Sequence, residues 1–165
     1  MLKFITTFSE DGYAKYARKM LEGVKENWGE GLHLTAFYHD FDIADYDYPV
    51  SDNITYRNLN DIEDLHVFRK EHKDHDGTMG KKVPYNWRVD AIKFCHKVFG
   101  LTEMAFELAE ESKRSGWLIW LDADTYTTKP ITDKNFIPHL NPKSELVYLD
   151  RKNFEFAETS FMAFN

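Results

Sequence analysis

Residues 115–125 read Ser-Gly-Trp-Leu-Ile-Trp-Leu-Asp-Ala-Asp-Thr, placing five consecutive apolar side chains directly before two carboxylates one residue apart. An apolar run of that length, bounded by a glycine and by acids, reads as a strand buried on both faces of an α/β sheet. In open α/β sheets ligands bind beyond the carboxyl ends of the strands, which is where Asp122 and Asp124 fall. Two such carboxylates can turn to one side and share a hard divalent cation, and oxygen ligands suit Mg²⁺ or Mn²⁺. A cation held by so few protein oxygens keeps positions open for the phosphate oxygens of a substrate. A solvated acidic turn after an edge strand would carry the same acids, but Trp117 to Leu121 is too apolar for an edge.

The elements that must position this pair follow from the rest of the chain. Residues 2–8 predict a first strand, and Ser9 opens a helix carrying Tyr13, Ala17, Met20, Leu21, Val24 and Trp28 at helical spacing. A second strand over 32–38 completes a β-α-β unit, parallel and right-handed. Residues 39–53 read as a loop rich in Asp and Tyr, followed by a strand over 54–59. A helix capped by Asn60 or Asp61 then runs to about His72. Residues 72–84 lack periodicity and read as a loop. Two helices are expected next, one burying Trp87, Ala91, Phe94, Cys95 and Val98 and ending at Gly100. The other is capped by Thr102 and buries Met104, Ala105, Leu108 and Ala109. Beyond Asp124, Pro130, Pro138 and Pro142 mark a loop, and strands are expected over 145–149 and 159–164, the latter as an open sheet edge. The expectation is one α/β domain over 1–165 with a mostly parallel, Rossmann-like sheet flanked by helices.

Composition limits the function classes. With 165 residues and 42% hydrophobic side chains the chain can bury a core, and disorder is excluded. A net charge of −7 argues against general nucleic-acid binding. Cys95 is the single cysteine, so neither a disulfide framework nor a zinc cluster is expected. No apolar run has the length of a membrane span, and residues 1–7 do not read as a signal peptide; a cytoplasmic location is the expectation.

The segment 117–125 resembles the metal-binding Asp-x-Asp motif of GT-A fold glycosyltransferases, written as an apolar strand, Asp, Ala, Asp, then Thr or Ser. The resemblance extends to glycogenin-like and galactosyltransferase-like members, in which a second strand follows some residues later. Glu158-Thr159-Ser160-Phe161-Met162-Ala163-Phe164-Asn165 holds that place here, without the Asn and Gly usual in the family. Overall the chain is most similar to small phage-encoded glycosyltransferases, which implies host cytoplasm. The resemblance implies a nucleotide-sugar donor, Mn²⁺ or Mg²⁺ bound by Asp122 and Asp124, and a base and ribose near Thr6, Thr7 and Phe8. It also implies a diphosphate met by Arg88, Lys93 and Lys97; Glu158 could bind sugar or acceptor hydroxyls or act as a catalytic base. The acceptor (glycan, protein or modified base) is left open. Family members continue beyond the equivalent of Asn165 and complete the metal site with a later His, so the expectation is a donor-binding portion lacking the acceptor portion.

Each residue also has a plainer reading. Arg88 could pair with Asp90 or Glu103, Lys93 and Lys97 could be solvated helix charges, and Glu158 an exposed acid before a strand. His72 and His75, with Asp74 and Asp76, read as a solvated loop, His96 as half-buried packing, and Tyr46 and Tyr48 as a surface loop. Two rival functions remain: a nucleotide- or carbohydrate-binding remnant without turnover, and a haloacid-dehalogenase-type phosphatase. The latter pattern requires Thr or Val where this chain has Tyr126.

Overall fold

The structure, a computed structural model, describes residues 2–78, 83–111, 116–149 and 158–165, with the side chains of Glu111 and Glu158 outside that description. Strand β1 (Leu2–Ser9) leads into a helical stretch made of α1 (Glu10–Gly12), a π-helical turn (Tyr13–Ala17) and α2 (Arg18–Asn27). Strand β2 (Leu34–His39), β3 (Ile54–Asn58) and α3 (Glu63–Glu71) follow. Then come the long helix α4 (Ala91–Glu111), β4 (Trp117–Leu121), the short α5 (Asp133–Phe136), β5 (Leu146–Leu149) and β6 (Glu158–Phe164).

The six strands form one sheet in the order β3-β2-β1-β4-β6-β5. The first four are mutually parallel, and β6 runs antiparallel to both β4 and β5. Strand order reverses at β1, which has β2 on one side and β4 on the other, making a topological switch point at their carboxyl ends. One core lies under α2 and includes Phe4, Met20, Leu21, Val24, Leu34 and Ile119. The other lies under α3 and α4 and includes Ile5, Phe37, Leu59, Leu65, Cys95 and Met104. Phe4 and Ile5 fall in different cores because successive side chains of a strand point to opposite faces. No helix among the described residues is long and apolar enough to cross a membrane.

Three expectations are corrected. The two helices expected over 87–116 are a single one, α4, with Gly100 inside it. A Cβ at Gly100 would lie 3.2 Å from both the Ile5 and Thr7 side chains, so glycine here lets α4 approach β1 rather than ending the helix. The buried face of α4 is also rotated in part from the expected one. Cys95 and Met104 are buried as expected, together with His96 and Gly100, whereas Phe94, Val98, Ala105 and Ala109 are exposed, as is Trp87 before the helix. Finally, β6 is not an edge: it is hydrogen-bonded on both sides, and β5 is the outer strand. Elsewhere shifts are small: α2 ends at Asn27, with Trp28 extended and bridged to Ile131, and Asn58 rather than Asn60 or Asp61 provides the side-chain cap after β3.

Candidate functional site

The burial sequence across the Asp-x-Asp turn follows from its position. Ala123, 5% exposed, points into the core, leaving Asp122 and Asp124 on the other side of the chain at the carboxyl end of β4. The turn is closed by Thr125 N–H donating to the Asp122 carbonyl (2.9 Å), and Asp122 N–H donates to the Ser160 carbonyl of β6 (2.8 Å). The segment that follows is fixed to the end of α2. Trp28 Nε1 donates to Thr127 Oγ1 (2.7 Å), Asn27 Nδ2 donates to the Thr127 carbonyl (3.2 Å), and Gly29 N–H donates to the Ile131 carbonyl (2.8 Å).

A cleft of about 570 Å³ lies at the switch point. The ends of β1 and β2 supply Thr7, Phe8, Ser9 and His39, and α4 supplies Lys93, His96 and Lys97. Asp122 and Asp124 line it from β4, Thr159 from β6 and Tyr16 from the π-helical turn. Such π turns recur at functional sites; this one carries a tyrosine whose phenol is held above its usual pKa by burial, with the Asp124 charge adding to the effect.

Lys97 ties the cleft together. Its Nζ lies 3.3 Å from Asp122 Oδ1, donates to the Thr159 carbonyl (2.8 Å) and sits 4.5 Å from the centroid of the Trp120 ring. Trp120 Nε1 donates to the same Asp122 oxygen. Asp122 Oδ2 has no hydrogen-bond partner among the described residues, so one lone-pair face of this carboxylate is not committed to the protein. Two hard carboxylates with an adjacent ammonium fit a divalent cation plus phosphate better than they fit a softer metal.

The structure brings together Thr7, Phe8, Lys93, Asp122 and Asp124 in this cleft, with Lys97 as a half-buried partner of Asp122 rather than a solvated charge. Thr6 does not line it: alternation along β1 turns Thr6 into the interior, where its hydroxyl is fully buried and unpaired among the described residues. Arg88 is exposed, outside the cleft lining, with its guanidinium 5.4 Å from the Trp87 ring centroid. Neither ion pair considered for Arg88 forms: Asp90 accepts from Tyr85 Oη and Lys93 N–H, and Glu103 pairs with Arg57. Glu158 opens β6, but its side chain lies outside the described residues. Tyr46 packs on Tyr13 and Phe41, and Tyr48 on Tyr56, away from the cleft.

Sequence reasoning missed one wall. His39 and Asp40, at the carboxyl end of β2, join Arg69 of α3 and His96 of α4 in a polar cluster. The position of His39-Asp40 at a strand end follows the same rule that singled out Asp122, but the strand was expected to stop one residue short. Arg69 and His96 come from distant segments that no local pattern links. Burial pushes the His96 imidazole down to about 3, with the His39 and Arg69 neighbours adding to the effect, and burial also lowers His39. Compared with known proteins, the chain matches no family model and no curated protein.

Proposed function

We propose that the protein is a metal-dependent glycosyltransferase of GT-A-like architecture that binds a nucleotide-diphosphate-sugar in the cleft at the β1/β4 switch point. The observation that carries this is the meeting of Asp122, Asp124, Lys93 and Lys97 in one cleft at the carboxyl end of the sheet. The doubly wound strand order supports it, because nucleotides favour that crevice. Asp122 and Asp124 would hold Mn²⁺ or Mg²⁺, which as a Lewis acid supplies stabilisation of the charge that grows on the leaving diphosphate. Lys97 keeps Asp122 oriented and places an ammonium beside the same oxygens, while Lys93 adds a second cation at the rim. Trp120 fixes the Asp122 carboxylate plane through Nε1. The sugar and the acceptor are left open by these residues.

Calorimetry with UDP, GDP, CDP and ADP tests the proposal, each in Mn²⁺, in Mg²⁺ and in EDTA, on wild type and on Asp124→Asn. At least one diphosphate is expected to bind more than tenfold tighter with metal, and Asp124→Asn to remove that gain. Equal affinity in metal and EDTA refutes the metal site. Metal-dependent binding with no turnover of any nucleotide-sugar would identify a binding protein instead of an enzyme.

A further inference from the structure

Strand β2 ends on His39, and Asp40 then adopts a left-handed backbone conformation (φ 65°), a conformation in which Asp is more common than most side chains. The Asp40 carboxylate meets His39 Nδ1 at 2.8 Å and accepts from both terminal nitrogens of Arg69, at 3.2 and 3.3 Å. Burial alone would raise the Asp40 pKa, but the His39 N–H and the Arg69 guanidinium hold it below the ordinary carboxylate value. An ionised carboxylate only accepts, so the proton sits on His39 Nδ1 and Nε2 keeps its lone pair. The ring is further fixed by stacking on His96, with centroids 3.9 Å apart and planes 24° from parallel. His96 Nε2 in turn accepts from Arg69, so that imidazole is neutral as well.

His39 is 7% exposed and lines the cleft, and its Nε2 has no hydrogen-bond partner among the described residues. Among the described residues the buried side-chain atoms without a partner are Thr6 Oγ1 and Arg69 Nε, so His39 Nε2 opens on the cleft, where a ligand that supplies a donor can take the place of water. The separation from Asp122 indicates which part of a ligand this is. Ile5 pairs with Trp120 and Thr7 with Phe37, so Asp122 is level with Phe37, and His39 lies two residues further along. Two strand spacings of about 4.8 Å and two rises of about 3.3 Å put the two Cα atoms roughly 12 Å apart. With phosphates held at Asp122, the part of a nucleoside diphosphate that suits the far end of that separation is its base.

We propose that His39 Nε2 is a specificity-determining hydrogen-bond acceptor that reads a ring N–H on the nucleobase of the bound nucleotide, an inference that rests on the diphosphate site proposed above. Uracil carries such an N–H where cytosine, a ring of the same size, carries a lone pair. Burial makes proton uptake by this imidazole unfavourable, which suits it to accepting a hydrogen bond more than to acting as a base. The ligand atoms of His39, Asp40 and His96 lie within 4.8 Å of one another, the spacing of a metal site. Arg69 already supplies the positive charge there, and a divalent ion would have to displace it.

The test is binding of UDP and CDP with Mg²⁺ to wild type and His39→Phe, which keeps a ring against His96 but lacks the acceptor. Wild type is expected to prefer UDP about tenfold, and His39→Phe to bind the two alike, with a lower thermal midpoint from the lost bond to Asp40 but with metal-dependent diphosphate binding retained. Imidazole ¹⁵N spectra of wild type give a readout that does not depend on the variant folding. His39 should be the Nδ1–H tautomer, and its Nε2 signal should move on adding UDP and Mg²⁺. Equal UDP and CDP affinity with Nε2 unmoved overturns the inference and leaves the diphosphate site standing. Failure of every nucleoside diphosphate to bind removes that site and the inference together. Zn²⁺ alone shifting both the His39 and His96 signals overturns the inference in favour of a metal centre.

Discussion

Replacing Lys97 by Met should make the protein bind Mn²⁺ more tightly in the absence of nucleotide. The ammonium lies 3.3 Å from Asp122 Oδ1, and its side chain is 19% exposed against 39% for Asp122. A cation on that carboxylate, about 2.1 Å from an oxygen, would sit about 5 Å from Nζ. With +1 and +2 charges at that distance and an effective dielectric of about 60, for a cation on the water-facing side of the carboxylate, the repulsion is about 2 kcal/mol. Removing it should strengthen Mn²⁺ binding by roughly thirtyfold. Met keeps an apolar stem against the Trp120 ring, so the helix-to-strand packing survives. Mn²⁺ binding followed by electron paramagnetic resonance measures the change directly. The same variant should bind nucleoside diphosphate with metal less tightly than its Mn²⁺ gain implies, because the phosphates lose an ammonium partner. Unchanged or weaker Mn²⁺ binding in Lys97→Met would refute the placement of the metal on Asp122.

Three further outcomes are expected. Gly23→Ala would put a Cβ 3.0 Å from the Thr127 carbonyl oxygen and 3.3 Å from its nitrogen, so the segment after the Asp-x-Asp turn must shift. A cost of about 1–3 kcal/mol, read as a lower thermal midpoint, should come with weaker metal-dependent nucleotide binding. Arg69→Leu leaves Asp40 and His96 without their shared donor and, with Asp40 half exposed, should destabilise by about 1–2 kcal/mol in urea denaturation. His96 is held neutral in the fold, its pKa lowered to about 3 from an unfolded value near 6.5. Stability from this group is therefore complete above about pH 6.5 and is lost as pH falls through that value, where the unfolded chain takes up the proton first. In urea titrations at several pH values, His96→Gln should lose less stability than wild type between about pH 6.5 and 4.

What could be read from the sequence was local. The run from Trp117 to Leu121 identified a buried strand because its apolar side chains are consecutive, and the acids after it marked the carboxyl end. The opening β-α-β unit followed from two apolar strands around a helix with one apolar face. The phase of α4 was not legible, since Phe94, Val98, Ala105 and Ala109 make as good an apolar stripe as the buried one. Only the approach of Gly100 to Ile5 and Thr7 chooses between them, and that contact is tertiary. The same limit applies to the sheet edge. Thr159 to Phe164 reads as a last strand, but insertion between β4 and β5 depends on pairing across the chain. Arg88 and Lys97 were both basic residues before the motif; packing of α4 on β4 and β6 brought Lys97 to Asp122 and left Arg88 outside the cleft lining.

A divalent cation held between Asp122, Asp124 and a nucleoside diphosphate should be visible by anomalous diffraction from a crystal soaked with Mn²⁺ and UDP. One manganese peak is expected about 2.1 Å from carboxylate oxygens of both acids, with phosphate oxygens completing its coordination and Lys97 Nζ turned toward them. A manganese peak elsewhere, or a nucleotide bound in the cleft with no metal between its phosphates and these two acids, would contradict it.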